Sequence, residues 1–226
     1  MRNAAAETPA AGVAAGSVAA IFGANLAPQV TVGPGSPLAQ TLDGVTVQLA
    51  GRLLPLFFVA PDEINVQIPS GLDPGEYTLI VSRTGQPDVR LQTQVLRNAP
   101  GLYQDTSGAE PVALAVHENG DRVSATAPAR RGERVTVYGT GLGPCVRPRP
   151  DGFAVPDDPS FPLADPVEVS LGGAALAPEA AFAAPARVGL DAVVFRIPSD
   201  AAGGGAMDLK IRVNGVESNT VALPVE

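Results

Sequence analysis

Val45, Val47 and Leu49 fall on one side of an extended chain, with Thr46 and Gln48 on the other. The same alternation returns at Val167, Val169 and Leu171 around Glu168 and Ser170. Period two with Val and Thr enrichment predicts strands with one buried face. "EINVQIP" (Glu63 to Pro69) and "AVVFRIP" (Ala192 to Pro198) each close on a proline, which cannot donate to a ladder and so ends the strand. Turn signals separate these runs. Asp73-Pro74-Gly75 feeds a further alternating segment, Asn214-Gly215 predicts a tight hairpin, and Asn119-Gly120 predicts a second turn. No long stretch keeps a helical period, so the pattern predicts an all-β chain.

The pattern occurs twice. "IFGANLAP" (Ile21 to Pro28) matches "VYGTGLGP" (Val137 to Pro144), and "VTVQLAG" (Val45 to Gly51) matches "VEVSLGG" (Val167 to Gly173). "IPS" at Ile68 to Ser70 matches "IPS" at Ile197 to Ser199, and "LIV" ending at Val81 matches "IRV" ending at Val213. The order is kept while the separation grows, as in a tandem duplication with insertions between elements. Short strands with frequent turns predict two tandem immunoglobulin-like antiparallel β-sandwiches. The expected division is a flexible Ala-rich arm over 1–15, one sandwich over 16–98 and a second over 99–226. "LRNAPGLY" (Leu96 to Tyr103) is the junction, and a proline-rich loop covers 143–166. Within the first motif, Phe22 or Tyr138 ends a core strand. Gly23 or Gly139 lets the backbone bend where a Cβ would clash, and Leu26 or Leu142 plugs the sandwich end.

Composition supports this and removes some functions. Of 226 residues 45% are hydrophobic, enough for true cores, while 25 Gly and 23 Pro suit turns better than helices. The net charge of −8 repels phosphate backbones, which argues against a nucleic-acid partner. Ala10 to Val30 is uncharged, but it is rich in Ala and Gly and broken by Asn25 and Pro28, so no membrane span is expected. With only Arg2 basic at the start and Glu7 following, no signal peptide is visible.

Candidate chemistry is sparse. A single cysteine, Cys145, excludes an internal disulfide and is expected as a small apolar filler. The one histidine, His117, cannot build a His-rich metal site and is expected at a solvent-facing strand position. "YGTGLG" (Tyr138 to Gly143) lacks the helix a dinucleotide site requires, because Pro144, Pro148 and Pro150 follow. Asp62-Glu63 and Asp157-Asp158, with Asp151 and Asp165, match no established calcium loop and read as solvated charge. Arg130, Arg131, Arg134, Arg147 and Arg149 form a local basic cluster, expected as a charged rim. "LLPLFFVAP" (Leu53 to Pro61) is expected in the core. No catalytic, cofactor-binding or metal-binding residue is assigned, and the chain is not expected to be an enzyme.

The run from "GSVAAIFGANLA" through "LLPLFFVAPDEINVQIPSGLDPGEYTLIV", "APGLY", "GERVTVYGTGLGP" and "VNGVESNTVALPV" resembles the uncharacterised C-terminal domain family of large Solibacter and other acidobacterial proteins. More distantly, each half is similar to IPT/TIG immunoglobulin-like modules of surface proteins. The resemblance implies a secreted or cell-surface location within a longer polypeptide and no assigned activity. The expected function is a non-catalytic structural or adhesion module. It would associate with protein partners or with itself through sheet edges, or with cell-surface polysaccharide. The alternative is a carbohydrate-binding accessory module attached to an enzyme, with Tyr103 and Tyr138 as its candidate stacking residues. Three Tyr, seven Phe and no Trp weigh against that alternative.

Overall fold

The computed structural model describes residues 1–6, 12–158, 160–201 and 204–226. The first sandwich contains β1 (Arg2–Asn3), β2 (Val13–Ala14), β3 (Val18–Phe22), β4 (Thr31–Val32), β5 (Val45–Leu49), β6 (Arg52–Leu53), β7 (Leu56–Val59), β8 (Glu63–Gln67), β9 (Gly75–Arg83) and β10 (Val89–Leu96). One sheet runs β1-β3-β8-β7-β4 and the other β2-β10-β9-β5-β6. The second sandwich contains β11 (Gly101–Leu102), β12 (Gln104–Asp105), β13 (Val112–Ala113), β14 (Ala115–Val116), β15 (Arg134–Thr140), β16 (Val167–Leu171), β17 (Ala174–Leu176), β18 (Ala180–Ala183), β19 (Asp191–Arg196), β20 (Gly205–Val213), β21 (Val216–Glu217) and β22 (Val221–Val225). Its sheets run β11-β15-β19-β18, with β14 also on β15, and β17-β16-β20-β21, with β22 also on β20. Strands β12 and β13 pair separately as a ribbon.

Alternation builds each core. Val45, Val47 and Leu49 are buried beside half-buried Thr46 and Gln48, and Val167, Val169 and Leu171 repeat this. The core of the first sandwich gathers Leu49, Leu56, Ile64, Ile68 and Leu79, and that of the second gathers Phe195, Leu171, Ile197 and Leu209. Each such side chain stabilises the fold by roughly 1.5–3 kcal/mol on burial. Leu54, Leu56 and Val59 are buried, so the apolar run enters the core at those positions, whereas Leu53 at its start is exposed. The hairpin at Asn214-Gly215 joins β20 to β21 with φ of 49° and 79°, as a type I′ turn requires. No helix among the described residues is long and apolar enough to cross a membrane.

Three expectations change. The arm over 1–15 is not free at its described parts. Arg2–Asn3 pairs antiparallel with β3, and Val13–Ala14 adds a parallel strand to β10. The reason is burial, since Asn3 and Val13 are both enclosed; residues 7–11 lie outside the described residues. The strand match is corrected too. Val45 faces Arg83 and Val167 faces Val213, so Val213 is the counterpart of Arg83, one inward-facing step beyond Val81. Finally, a Cβ at Gly23 or Gly139 would clash as expected, 2.9 Å from Leu26 Cδ2 and 2.5 Å from the Gly101 carbonyl oxygen. The left-handed bend, however, sits two residues further on, at Asn25 (φ 56°) and Gly141 (φ 79°). Both are left-handed positions, which Asn and Gly tolerate best.

Candidate functional site

Polar side chains are buried where the two sandwiches meet. Thr140, at the end of β15, accepts a hydrogen bond at Oγ1 from the Val18 amide (2.9 Å) and donates one to the Gly189 carbonyl (2.6 Å). The Asn3 amide donates to the carbonyls of Ala99 (2.6 Å) and Thr140 (3.0 Å). Gln67, fully buried on β8, accepts from the Gly152 amide at Oε1 (2.5 Å). The Gly152 carbonyl in turn accepts from the Leu38 amide (2.7 Å). The proline-rich loop therefore lies against the first sandwich, although the chain reaches it from the second.

Arg149 and Asp191 occupy the centre of this joint. Arg149 Nη2 lies 2.7 Å from Asp191 Oδ1, with side chains 2% and 0% exposed. Asp191 Oδ2 accepts from the Leu142 amide at 3.0 Å. Burial pushes the Asp191 carboxyl above its usual range, against the pull of Arg149 and the Leu142 amide. On the first-sandwich side, Ser70 donates from its hydroxyl to the Arg149 carbonyl (2.7 Å) and from its amide to Asp151 Oδ1 (2.9 Å). Burial, and then the nearby Asp191, push the Tyr103 phenol well above its usual range. A flanking set of bonds completes the seam. Arg97 clasps Asp165 through Nε and Nη2, and Asn98 donates to Asp165 and to the Leu142 carbonyl.

The other singled-out residues separate. The basic cluster is not a patch. Arg149 is buried, and Arg147 stacks over the Phe161 ring at 4.1 Å. Arg130 pairs with Glu226, and Arg134 pairs with Glu118 and Glu179. His117 is also not solvent-facing. Its Nδ1 lies 2.8 Å from Glu133 Oε1 and its Nε2 lies 3.2 Å from the Ala127 carbonyl, which ties two loops together. Cys145 packs beside Val155, Phe161 and Ala183, and burial pushes its thiol up. Asp151 and Asp165 are engaged by Ser70 and Arg97, and Asp157 and Asp158 are exposed. Tyr103 and Tyr138 are half-buried, and Tyr103 lines a surface hollow with Arg2, Gln104 and Asn219.

Several carboxylates are held below their ordinary range. The Ser107 hydroxyl and amide, and then Arg122, bring Asp105 down to about 2. Against the upward push of burial, Arg97 and Asn98 lower Asp165, and the Arg130 amide and His117 lower Glu133. A carboxylate with a lowered folded pKa contributes stability above its unfolded value, about 4, and loses it as pH falls through the folded value. Asp191, pushed up, works in the opposite direction as a single group. The urea midpoint should therefore hold from about pH 7 to about pH 5 and fall steadily from about pH 4 to about pH 2. Asp165→Asn should shrink that fall. An unchanged midpoint across the acidic range would contradict the assignment.

No family model matches the chain, and no curated protein matches it. Among solved structures, the chain is similar to the Bacteroides ovatus mixed-linkage glucan utilization locus SGBP-B in complex with a mixed-linkage heptasaccharide. The identity is 12% over 95% of this chain and 43% of that one, with a TM-score of 0.36. It is also similar to tandem immunoglobulin domains of titin, at 11% identity over 94% and 89% of the two chains and a TM-score of 0.25. A third likeness is to the BSP domain of a biofilm associated protein, at 11% identity over 80% and 25%, also with a TM-score of 0.25. The chain thus spans less than half the length of the first. The chain's own sheets make it an all-β tandem of two sandwiches.

Proposed function

We infer that this chain is a non-catalytic, stiff two-sandwich module that sets spacing and orientation within a larger surface or secreted polypeptide. The buried joint carries this reading. A short connector alone leaves two domains free to swing, and inter-domain contacts of ordinary polarity permit motion. Here the Asn3–Thr140, Val18–Thr140 and Gln67–Gly152 hydrogen bonds cross the seam, and the enclosed Arg149–Asp191 ion pair lies beside it within the second sandwich. Swinging the sandwiches apart would exchange each cross-seam bond for bonds to water, a net cost of about 0.5–1.5 kcal/mol for each. Orientation is thereby fixed, as spacing and adhesion elements require. The surface location rests on the motif resemblance.

Small-angle scattering and calorimetry test the inference. One rigid conformation should fit the scattering curve, and both sandwiches should unfold in one transition. A flexible ensemble with two separate transitions would sink it.

A further inference from the structure

The duplication allows equivalent surfaces to be compared within one chain. The sheet of β5, β9 and β10 in the first sandwich has its counterpart in β16, β20 and β22 of the second. Their core faces are alike, but their outer faces differ in chemistry. On the second sandwich, Glu168 stands opposite Arg212, Arg212 opposite Glu217, and Lys210 lies 3.7 Å from Glu217. That outer face is a network of charges satisfied by one another.

On the first sandwich the same face carries Arg90, opposite Ile80, and Glu76, and its other outward positions are uncharged. Thr46 stands opposite Ser82, Gln48 opposite Ile80, and Thr78 opposite Gln92. Gln94 lies opposite Glu76, and Leu53 extends the Gln48 row on the other side. Thr78 and Gln92 bond to each other, whereas the side chains of Thr46, Gln48 and Gln94 hold no hydrogen bond within the described residues. Arg90 and Asp88 lie 4.0 Å apart and offset each other. A shallow hollow of about 340 Å³, lined by Glu76, Gln92, Thr93 and Gln94, opens at the Gln92 and Gln94 end. The face lies on the sheet opposite to the one that meets the second sandwich, so the joint leaves it free.

We propose that this outer face binds a neutral polysaccharide. Each glutamine amide offers donors and an acceptor, as adjacent sugar hydroxyls do, so one amide can engage a pair of them. Rows of such groups recur about every 4.8 Å across the strands and about every 6.7 Å along them, matching an extended polymer better than a compact ligand. Ile80 and Leu53 supply apolar surface for the C–H faces of the sugar rings. Charge selects the class of polymer. A chain of net charge −8 repels polyanions, and this face holds no cationic cluster to overcome that repulsion. The binding surface is independent of the stiff joint, so the two readings fail separately.

Affinity electrophoresis of the whole chain tests the proposal in gels containing a soluble β-glucan, a galactomannan, a xylan or, as the anionic control, alginate. At least one neutral polymer should retard the protein, and alginate should not. Gln48→Ala with Gln92→Ala should weaken that retardation at least tenfold without lowering Tm. Lys210→Ala with Arg212→Ala, on the equivalent face, should leave it unchanged. If the double glutamine variant is less stable, Gln94→Ala alone should still weaken binding. Retardation by none of the neutral polymers, by alginate foremost, or equally in the glutamine variants would overturn the proposal.

Discussion

Arg149→Met should destabilise the chain by about 3–5 kcal/mol, the usual consequence of removing one member of an enclosed ion pair. Asp191 is fully buried, and apart from Arg149 it is bonded by the Leu142 and Gly141 amides. Without the guanidinium, the carboxylate either stays charged in an apolar setting or takes up a proton, and both outcomes penalise folding. Met keeps most of the aliphatic bulk, so the loss reports charge more than volume. A second variant separates the two. Arg149→Met with Asp191→Leu removes both charges and should recover a good part of the stability, because apolar replacement of a buried pair is often neutral or better. The same substitution loosens the seam, so scattering from Arg149→Met should broaden beyond one conformation. A urea midpoint close to that of the parent chain would show that the pair is solvated in solution. By contrast, breaking the exposed Arg212–Glu217 pair should barely move the midpoint.

The contrast between these pairs shows what a sequence can reveal here. Val45, Val47 and Leu49 announce a strand because alternation is local and the core face repeats it. The tandem architecture is legible for the same reason, since the duplicated motifs preserve shape. The joint is not local. Arg149 stands among prolines in a run of arginines, and nothing near it marks Asp191 as its partner. A faint signal did exist. Within the motif shared by the copies, Ala24 is replaced by Thr140 and Asn25 by Gly141, and Thr140 is where three bonds of the joint converge. Places where duplicated copies disagree inside a conserved shape are where each has acquired its own contacts. The setting of His117 is likewise not local, because its partners, Glu133 and the Ala127 carbonyl, come from later loops whose course alternation does not encode. The neutral and charged outer faces were legible residue by residue, but only the ladder register shows that they are equivalent surfaces.

Gly141→Ala should destabilise by about 3 kcal/mol or more, from two sources that can be told apart. The first is conformational. Gly141 has φ of 79°, where a side chain other than that of Gly or Asn is strained. The second is steric, because a Cβ there would run into the Ala99 carbonyl and come within 2.8 Å of Asn3 Nδ2, both part of the joint. Gly141→Asn relieves most of the strain and keeps the collision. If the joint is as tight as its hydrogen bonds indicate, Asn at 141 should be nearly as damaging as Ala. The first copy supplies the control. Asn25 holds the same left-handed bend at φ 56° away from the seam, so Asn25→Gly should shift stability by roughly 1 kcal/mol or less. Chemical denaturation of the three variants decides the matter. Near-parental stability of Gly141→Asn beside a damaged Gly141→Ala would mean that strain alone operates, and that Ala99 does not hold the second sandwich against the chain start.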